Sequence, residues 1–232
     1  MHEDLKKIIA CSENYFEIIT EYNSRAKKIY KNERQLSKLF IYSIEKILAK
    51  KSYETDVHSK HMTSLAKRLG VILNLATSEI KTLSLIAKFH DIGKINISSS
   101  ILNKPDKLNV EEWKEIKLHS KHSFDIVNSV EEYKYIANDI LHHHERFDGT
   151  GYPDGLTGKD IPLFSRIIAV LDTYDVLVSG RIYKPAVSKI EAIQEIKRCS
   201  GTQFDPSIVK IFLEVCAKSG IIPKAEQTLE LM

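Results

Sequence analysis

Apolar residues recur along this chain every three or four positions, the spacing of one helix face, and no alternating β-branched run bounded by turns interrupts them. Between Leu5 and Lys50, Ile8, Tyr15, Tyr22, Ile29 and Leu36 fall seven apart, with Ile19, Ala26, Phe40 and Ile47 partly filling the companion positions. That stripe predicts a long helix or helix pair, either packed on its own domain or serving as a dimer interface or signalling helix. Ser12 and Glu33 break the companion row, which argues against a clean two-stranded coil. A second helix is predicted over about Thr55–Leu69, facing inward with Met62, Leu65, Ala66 and Leu69 and stopped by Gly70. A third runs from Thr77 to His90, capped by Thr77 or Ser78, with Ile80, Leu83, Ala87 and His90 on its apolar face. Residues 96–110 read as a loop. Asn109 starts a helix carrying Trp113, Ile116 and Leu118, and further helices follow at about 122–129, 132–144, 163–179, 188–199 and 205–217. No proline precedes Pro105, so nothing breaks helices in the first hundred residues. The predicted fold class is all-α.

Composition narrows this picture only slightly. A chain of 232 residues with 43% hydrophobic content can bury a sizeable core. The division expected is a helical extension over 1–51 and one domain over 52–232. A net charge of +3, spread along the chain, is too weak to argue for DNA or RNA as a partner. No apolar run is long enough for a membrane span. The start, MHEDLKKIIA, carries acids and no apolar core, so it does not read as a secretory signal. Cys11, Cys199 and Cys216 are odd in number and form no CxxC pair, the usage expected of reduced thiols in a cytoplasm.

Two concentrations of residue type carry the chemistry. Four of the nine glycines fall between Gly149 and Gly158, in a loop that can adopt positive φ and bring backbone close to a ligand. Eight of the nine histidines fall between His58 and His144. Glu54 and His58 are four apart, on one helix face, and His58 shares the apolar side with Met62 and Leu65. His90 and Asp91 end the third helix, His119 lies near the end of the Trp113 helix, and His143 and His144 precede the glycine loop. Asp172 sits inside the apolar run RIIAVLDTYDVLVS, where a buried acid needs a partner. Imidazole and carboxylate together suit iron, manganese or zinc. His61, His122 and His142 are expected to be hydrogen-bonded core residues, His2 a solvated terminus, and Asp175 a cap or pairing residue.

The segments HDIGKI, HHERFDGTGYPDGLTGKDIP, RIIAVLDTYDVLVSGRIYK and GTQFDP, in that order, resemble the HD-GYP domain, a subset of the HD metal-dependent phosphohydrolase superfamily. The resemblance covers about residues 52–215. It implies an HD-domain helical bundle with a long glycine-rich GYP loop. It also implies hydrolysis of cyclic di-GMP to linear pGpG, with continuation to GMP left open, and two or three divalent metal ions, iron or manganese first. Residue by residue, His58, His90, Asp91 and Asp172 match the ligands of a first metal. Asp91 would bridge to a second held by His119, His143 and His144, and Glu54 matches a third-metal position. Lys94 matches a lysine beside the site, Gly151, Tyr152 and Pro153 the GYP signature, and Arg181 and Lys184 dinucleotide contacts.

The sequence departs from the family pattern at Ile182 (usually proline), at Tyr174-Asp175-Val176 (usually FDA), at Ser98 (usually proline) and at Ser123 (usually glycine). None of these removes a ligand. The mechanism implied is attack by a hydroxide bridging the metals, which also neutralise the phosphate. Lys94 would assist the phosphate or leaving group, and Tyr152 would stack, cover the site or anchor its loop. Arg146 is expected to pair with a nearby carboxylate and organise the loop. Two other readings stay open: hydrolysis of a related cyclic dinucleotide such as cyclic GMP-AMP, and a non-catalytic module binding the dinucleotide or docking a partner such as a diguanylate cyclase. The complete ligand set weighs against the latter.

Overall fold

The computed structural model describes residues 33–180 and 185–218, apart from the side chains of 33–38, 40, 53 and 54. The heptad positions from Ile8 to Ile29, Cys11, Arg181 and Lys184 lie outside the described residues. Within them the chain forms helices α1 (Glu33–Lys51), α2 (Tyr53–Ile72), α3 (Thr77–Phe89), α4 (Ser99–Leu102), α5 (Val110–Asn128), α6 (Ala137–Leu141), α7 (Leu163–Ser179), α8 (Lys189–Arg198) and α9 (Pro206–Lys218). Tighter 3₁₀ turns cover Ile92–Asn96, Lys134–Ile136 and Gly158–Asp160. There is no strand among the described residues, only the isolated bridges Asp148–Thr157 and Ser200–Phe204. None of the described helices is long and apolar enough to cross a membrane.

A single extended residue, Ser52, separates α1 from α2, and its hydroxyl caps α2 by accepting from Thr55 N. α1 buries Ile41, Ile44 and Leu48 at helical spacing, with Ile47 partly buried, so this helix joins the same core as α2 and α3. The predicted stop at Gly70 is wrong. α2 runs on to Ile72 and ends where Asn74 takes φ 52°. Leu75 N bonds Gly70 O and Asn74 N bonds Val71 O, so Asn74 closes the left-handed helix end usually given to glycine. Gly70 serves another need: a Cβ there would come within 2.9 Å of Ile80 Cγ1, so its absence lets α3 pack closely on α2.

α3 is capped neither by Thr77 nor by Ser78. Its N-cap is Ala76, whose N–H donates to the Glu79 carboxylate at 2.8 Å. The loop expected over 96–110 contains the short helix α4. The two helices expected over 109–129 are one, α5, started by the reciprocal Asn109–Glu112 capping box. The intervening His119 and Ser120 look like a polar break but are buried in mid-helix. Conversely, the helix predicted over 132–144 is only α6 plus a 3₁₀ turn, because His142, His143 and His144 leave the helix for a turn.

α7 is the central strut. It buries Ile167, Ile168, Val170, Leu171, Tyr174 and Leu177 against the surrounding helices. The glycine loop between α6 and α7 is held at both ends. Phe147 N and Asp148 N donate to Gln203 O and Thr202 O. Asp205, just beyond, pairs with Arg166 of α7 and accepts from Ser207 N at the start of α9. The GTQFDP segment is thus the clamp that ties this loop to the bundle. Within the loop Gly149, Gly155 and Gly158 take positive φ.

Candidate metal centre

Five pieces of the fold deliver polar side chains to one buried point: His58 from α2, His90 and Asp91 from the end of α3, His119 from α5, His143 and His144 from the turn after α6, and Asp172 from α7. His58, His90, His119 and His143 are each no more than 2% exposed, and Asp91 is 4% exposed. The structure brings these seven residues together. Glu54 lies in α2 one turn before His58, but its side chain is outside the described residues, as are Arg181 and Lys184.

The histidines are oriented alike. His90 Nδ1–H donates to Ala87 O at 2.9 Å, His119 Nδ1–H to Ile116 O at 2.6 Å, and His143 Nδ1–H to Ile140 O at 2.6 Å. His58 Nδ1–H instead donates to Asp175 Oδ2 at 2.6 Å. With each Nδ1 so engaged, Nε2 turns inward. These inward nitrogens crowd together: His58 to His90 at 3.3 Å, His119 to His143 at 3.3 Å, and His144 to His119 at 3.1 Å. Facing lone pairs repel unless a cation lies between them. Burial, the first cause, pushes His119 down to about 3, His144 to about 4 and His143 well below its usual value. Protons are therefore poor occupants of the His119, His143 and His144 group, and the donor set fits divalent metal ions.

Asp91 spans two groups. Its Oδ1 lies 3.3 Å from His119 Nε2, while Oδ2 lies 3.5 Å from His90 Nε2 and 3.9 Å from His58 Nε2. On the His58 side Asp172 Oδ1 completes the set, 3.0 Å from His58 Nε2. Three groups have mutually compatible donor atoms: His58, His90, Asp172; His119, His143, His144; and His90, Asp91, His143, which joins the other two. Burial alone would raise Asp91; Lys94, 2.6 Å from Oδ2, and the neighbouring imidazoles outweigh it and hold the carboxyl well below its usual range. His58 behaves oppositely to the other histidines. Burial would lower it, but hydrogen bonds to Asp172 and Asp175 prevail and raise it to about 9 in the metal-free protein.

A cavity of about 580 Å³ opens onto this centre, lined among others by Lys94, Trp113, Lys117, Arg146, Tyr152 and Gln203. Tyr152 lies beside His144, ring centroids 4.9 Å apart. The GYP glycine, Gly151, lies so close to the chain before it that a Cβ would come within 2.3 Å of Arg146 N. Arg146 pairs with Asp148 at 3.0 Å and with Thr150 at 2.9 Å, bracing the loop.

Three residues contribute beyond the expected ligands. Asp175, expected as a cap or pairing residue, does pair, and its partner is His58, whose ring it orients. Glu145, 3% exposed, accepts from Asp154 N and Gly155 N and fixes the far side of the loop. Ser123 accepts from Gly93 N at 2.8 Å, where the Ile92–Asn96 turn meets α5. Ser98 also uses its departure from proline, since its N–H donates to Glu115 at 3.0 Å. Of the histidines set aside, His142 is buried and bonds Asn138 O and Asp154, whereas His61 is largely exposed.

Residues 42–208 match the family model described as HD domain. The chain belongs to the HD domain family. Within it, the 3′3′-cGAMP-specific phosphodiesterase 2 of Vibrio cholerae is 34% identical over 183 residues, covering 78% of this chain and 35% of that protein. The cyclic di-GMP phosphodiesterase of Thermotoga maritima is 32% identical over 212 residues, 90% of this chain and 55% of its own length. This HD domain chain therefore spans about a third to about half of these relatives. A solved HDG"Y"P protein from Bdellovibrio bacteriovorus shares the fold, with TM-score 0.60 and 17% identity over 91% of this chain and 78% of that one.

Proposed function

We propose that this HD domain hydrolyses a cyclic dinucleotide, cyclic di-GMP first, giving linear pGpG, with GMP as the product of any second cut. The observation that carries the proposal is the two-sided placement of Asp91 between two histidine groups at the floor of a cationic cavity. His58, His90 and Asp172 would hold one divalent ion, His119, His143 and His144 another, with Asp91 shared. Glu54 would add a ligand for a third. Iron or manganese suits this mixed imidazole and carboxylate set. Bound metals would supply Lewis acidity, lowering the pKa of water and offsetting phosphate charge.

The protein's own groups do the rest. Lys94 Nζ, beside Asp91, meets the scissile phosphate and holds a proton for the departing 3′ oxygen. Tyr152 covers the His144 side and limits water. Arg181 and Lys184 would hold the second phosphate or a guanine edge by charge-assisted hydrogen bonds. Since α1 joins the core of the domain, the part of the expected 1–51 extension that precedes it would serve a homodimer or receive a signal from a partner such as a diguanylate cyclase, and the setting would be cytoplasmic.

The relative named for 3′3′-cGAMP supports a second substrate reading, hydrolysis of the mixed dinucleotide. One experiment tests both. The protein is purified without oxygen, its metals are counted, and cyclic di-GMP and 3′3′-cGAMP are supplied in parallel with products followed by chromatography. Metal-dependent pGpG from cyclic di-GMP is the expected result. Faster turnover of 3′3′-cGAMP would transfer the assignment to it, and turnover of neither would overturn the proposal.

A further inference from the structure

We infer that Trp113 forms a stacking subsite for one nucleobase of the substrate, an inference that rests on the cyclic dinucleotide reading above. Trp113 is the only tryptophan of the chain and is 49% exposed, which is unusual for so large an apolar side chain. It does not stand on open surface: it lines the cavity over the candidate metal centre, along with Leu108, Ile116 and Lys117. Among the described residues no aromatic ring packs against it and no cation sits over it, so its face is available. Tyr152, the other large aromatic on that cavity, is already engaged by His144 and by Lys117, whose Nζ lies 5.2 Å from the ring centroid.

Trp113 is also held in place. It sits in the first turn of α5, its N–H bonded to Asn109 O at 2.9 Å, behind the Asn109–Glu112 capping box. Glu112 is further fixed by Lys104 at 2.7 Å. The same helix carries His119, so the indole and the metal centre share one rigid support. A phosphodiester placed at the metals leaves its bases to extend along the cavity walls. An indole face then replaces the water that an unstacked base would meet, and lysines beside it suit the anionic backbone.

Stacking uses the π-face common to every base, so this subsite grips guanine and adenine alike. Trp113 therefore contributes affinity for a cyclic dinucleotide without discriminating cyclic di-GMP from 3′3′-cGAMP. That choice must lie with groups reaching base edges.

Two measurements test the inference. In kinetics with both dinucleotides, Trp113→Ala should raise KM roughly tenfold, the effect of losing one stacked base, with bound metal unchanged and kcat altered much less. Trp113→Phe should recover most of the loss. Leu118→Ala, half-exposed on the same helix but off the cavity, should leave KM as it was. In the wild-type protein, GMP should quench the tryptophan emission saturably, whereas inorganic phosphate at equal concentration should not. An unchanged KM in Trp113→Ala, or equal losses in Leu118→Ala, would overturn the subsite while leaving the hydrolytic function standing. Quenching by phosphate as strong as by GMP would do the same. Hydrolysis of neither dinucleotide would overturn the function, and the GMP titration would still decide the subsite.

Discussion

Replacing Asp175 by asparagine should weaken one metal and spare the other. Asp175 is 3% exposed and touches the centre only through His58, with Oδ2 2.6 Å from Nδ1. Its Oδ1 faces Ser179 Oγ and the His61 ring, each at 3.4 Å. Asparagine keeps the size and offers an oxygen to Nδ1–H, so the ring orientation survives while the carboxylate charge is lost. A carboxylate behind a metal-binding imidazole is worth about ten- to a hundredfold in metal affinity, or about 1.4 to 2.7 kcal/mol. On the proposed ligand assignment, that loss should fall on the ion that His58, His90 and Asp172 would hold. The group of His119, His143 and His144 takes its orientation elsewhere and should keep its ion. The assay is metal content after dialysis against graded chelator, comparing Asp175→Asn with wild type. Wild type should release its ions at nearby chelator strengths, whereas the variant should lose one ion per chain early. Equal weakening of both ions, or none, would refute the assignment of Asp175 to His58 alone.

Three further outcomes are expected. Asp91→Ala should abolish hydrolysis and remove most bound metal while circular dichroism stays helical; full metal retention would defeat the shared-ligand role. In metal-free protein, His58 is raised from 6.5 to about 9, so its protonated form stabilises the fold fully below about pH 6.5 and that contribution, roughly 3 kcal/mol, is lost as pH rises through about 9. Denaturant midpoints measured across that range in wild type and His58→Gln check it, the variant losing the slope. Gly93→Ala should destabilise by about 1–3 kcal/mol or more, because the new Cβ would meet His119 O and Ser123 N within 2.3 Å; a denaturation curve like that of wild type would contradict the close contact.

The convergence of His58, His90, Asp91, His119, His143, His144 and Asp172 was legible from their joint pattern rather than from any one of them, since buried His142 and Asp175 of the same types serve as hydrogen-bond partners. The glycine loop was legible too, since Gly149, Gly155 and Gly158 do take the backbone region that glycine favours. Helix boundaries were less so. α5 was divided because His119, Ser120 and Ser123 interrupt an apolar face, yet here the buried face of the helix is itself polar, turned to the centre and to the Gly93 backbone. Gly70 was read as a stop because local sequence cannot show that α3 passes against it. The pairing role of Asp175 was legible, but its partner His58, on another helix, was not.

The way the imidazoles are pinned has an evolutionary consequence. His90, His119 and His143 each use the carbonyl three residues back in their own chain, a partner that no side-chain substitution can remove. His58 depends on the side chain of another helix, which one mutation can alter. Three of the imidazoles are thus pinned by backbone, while His58 alone rests on a side chain that can be tuned. Divergence in metal preference among related chains should therefore track the residue at Asp175 rather than the ligands themselves.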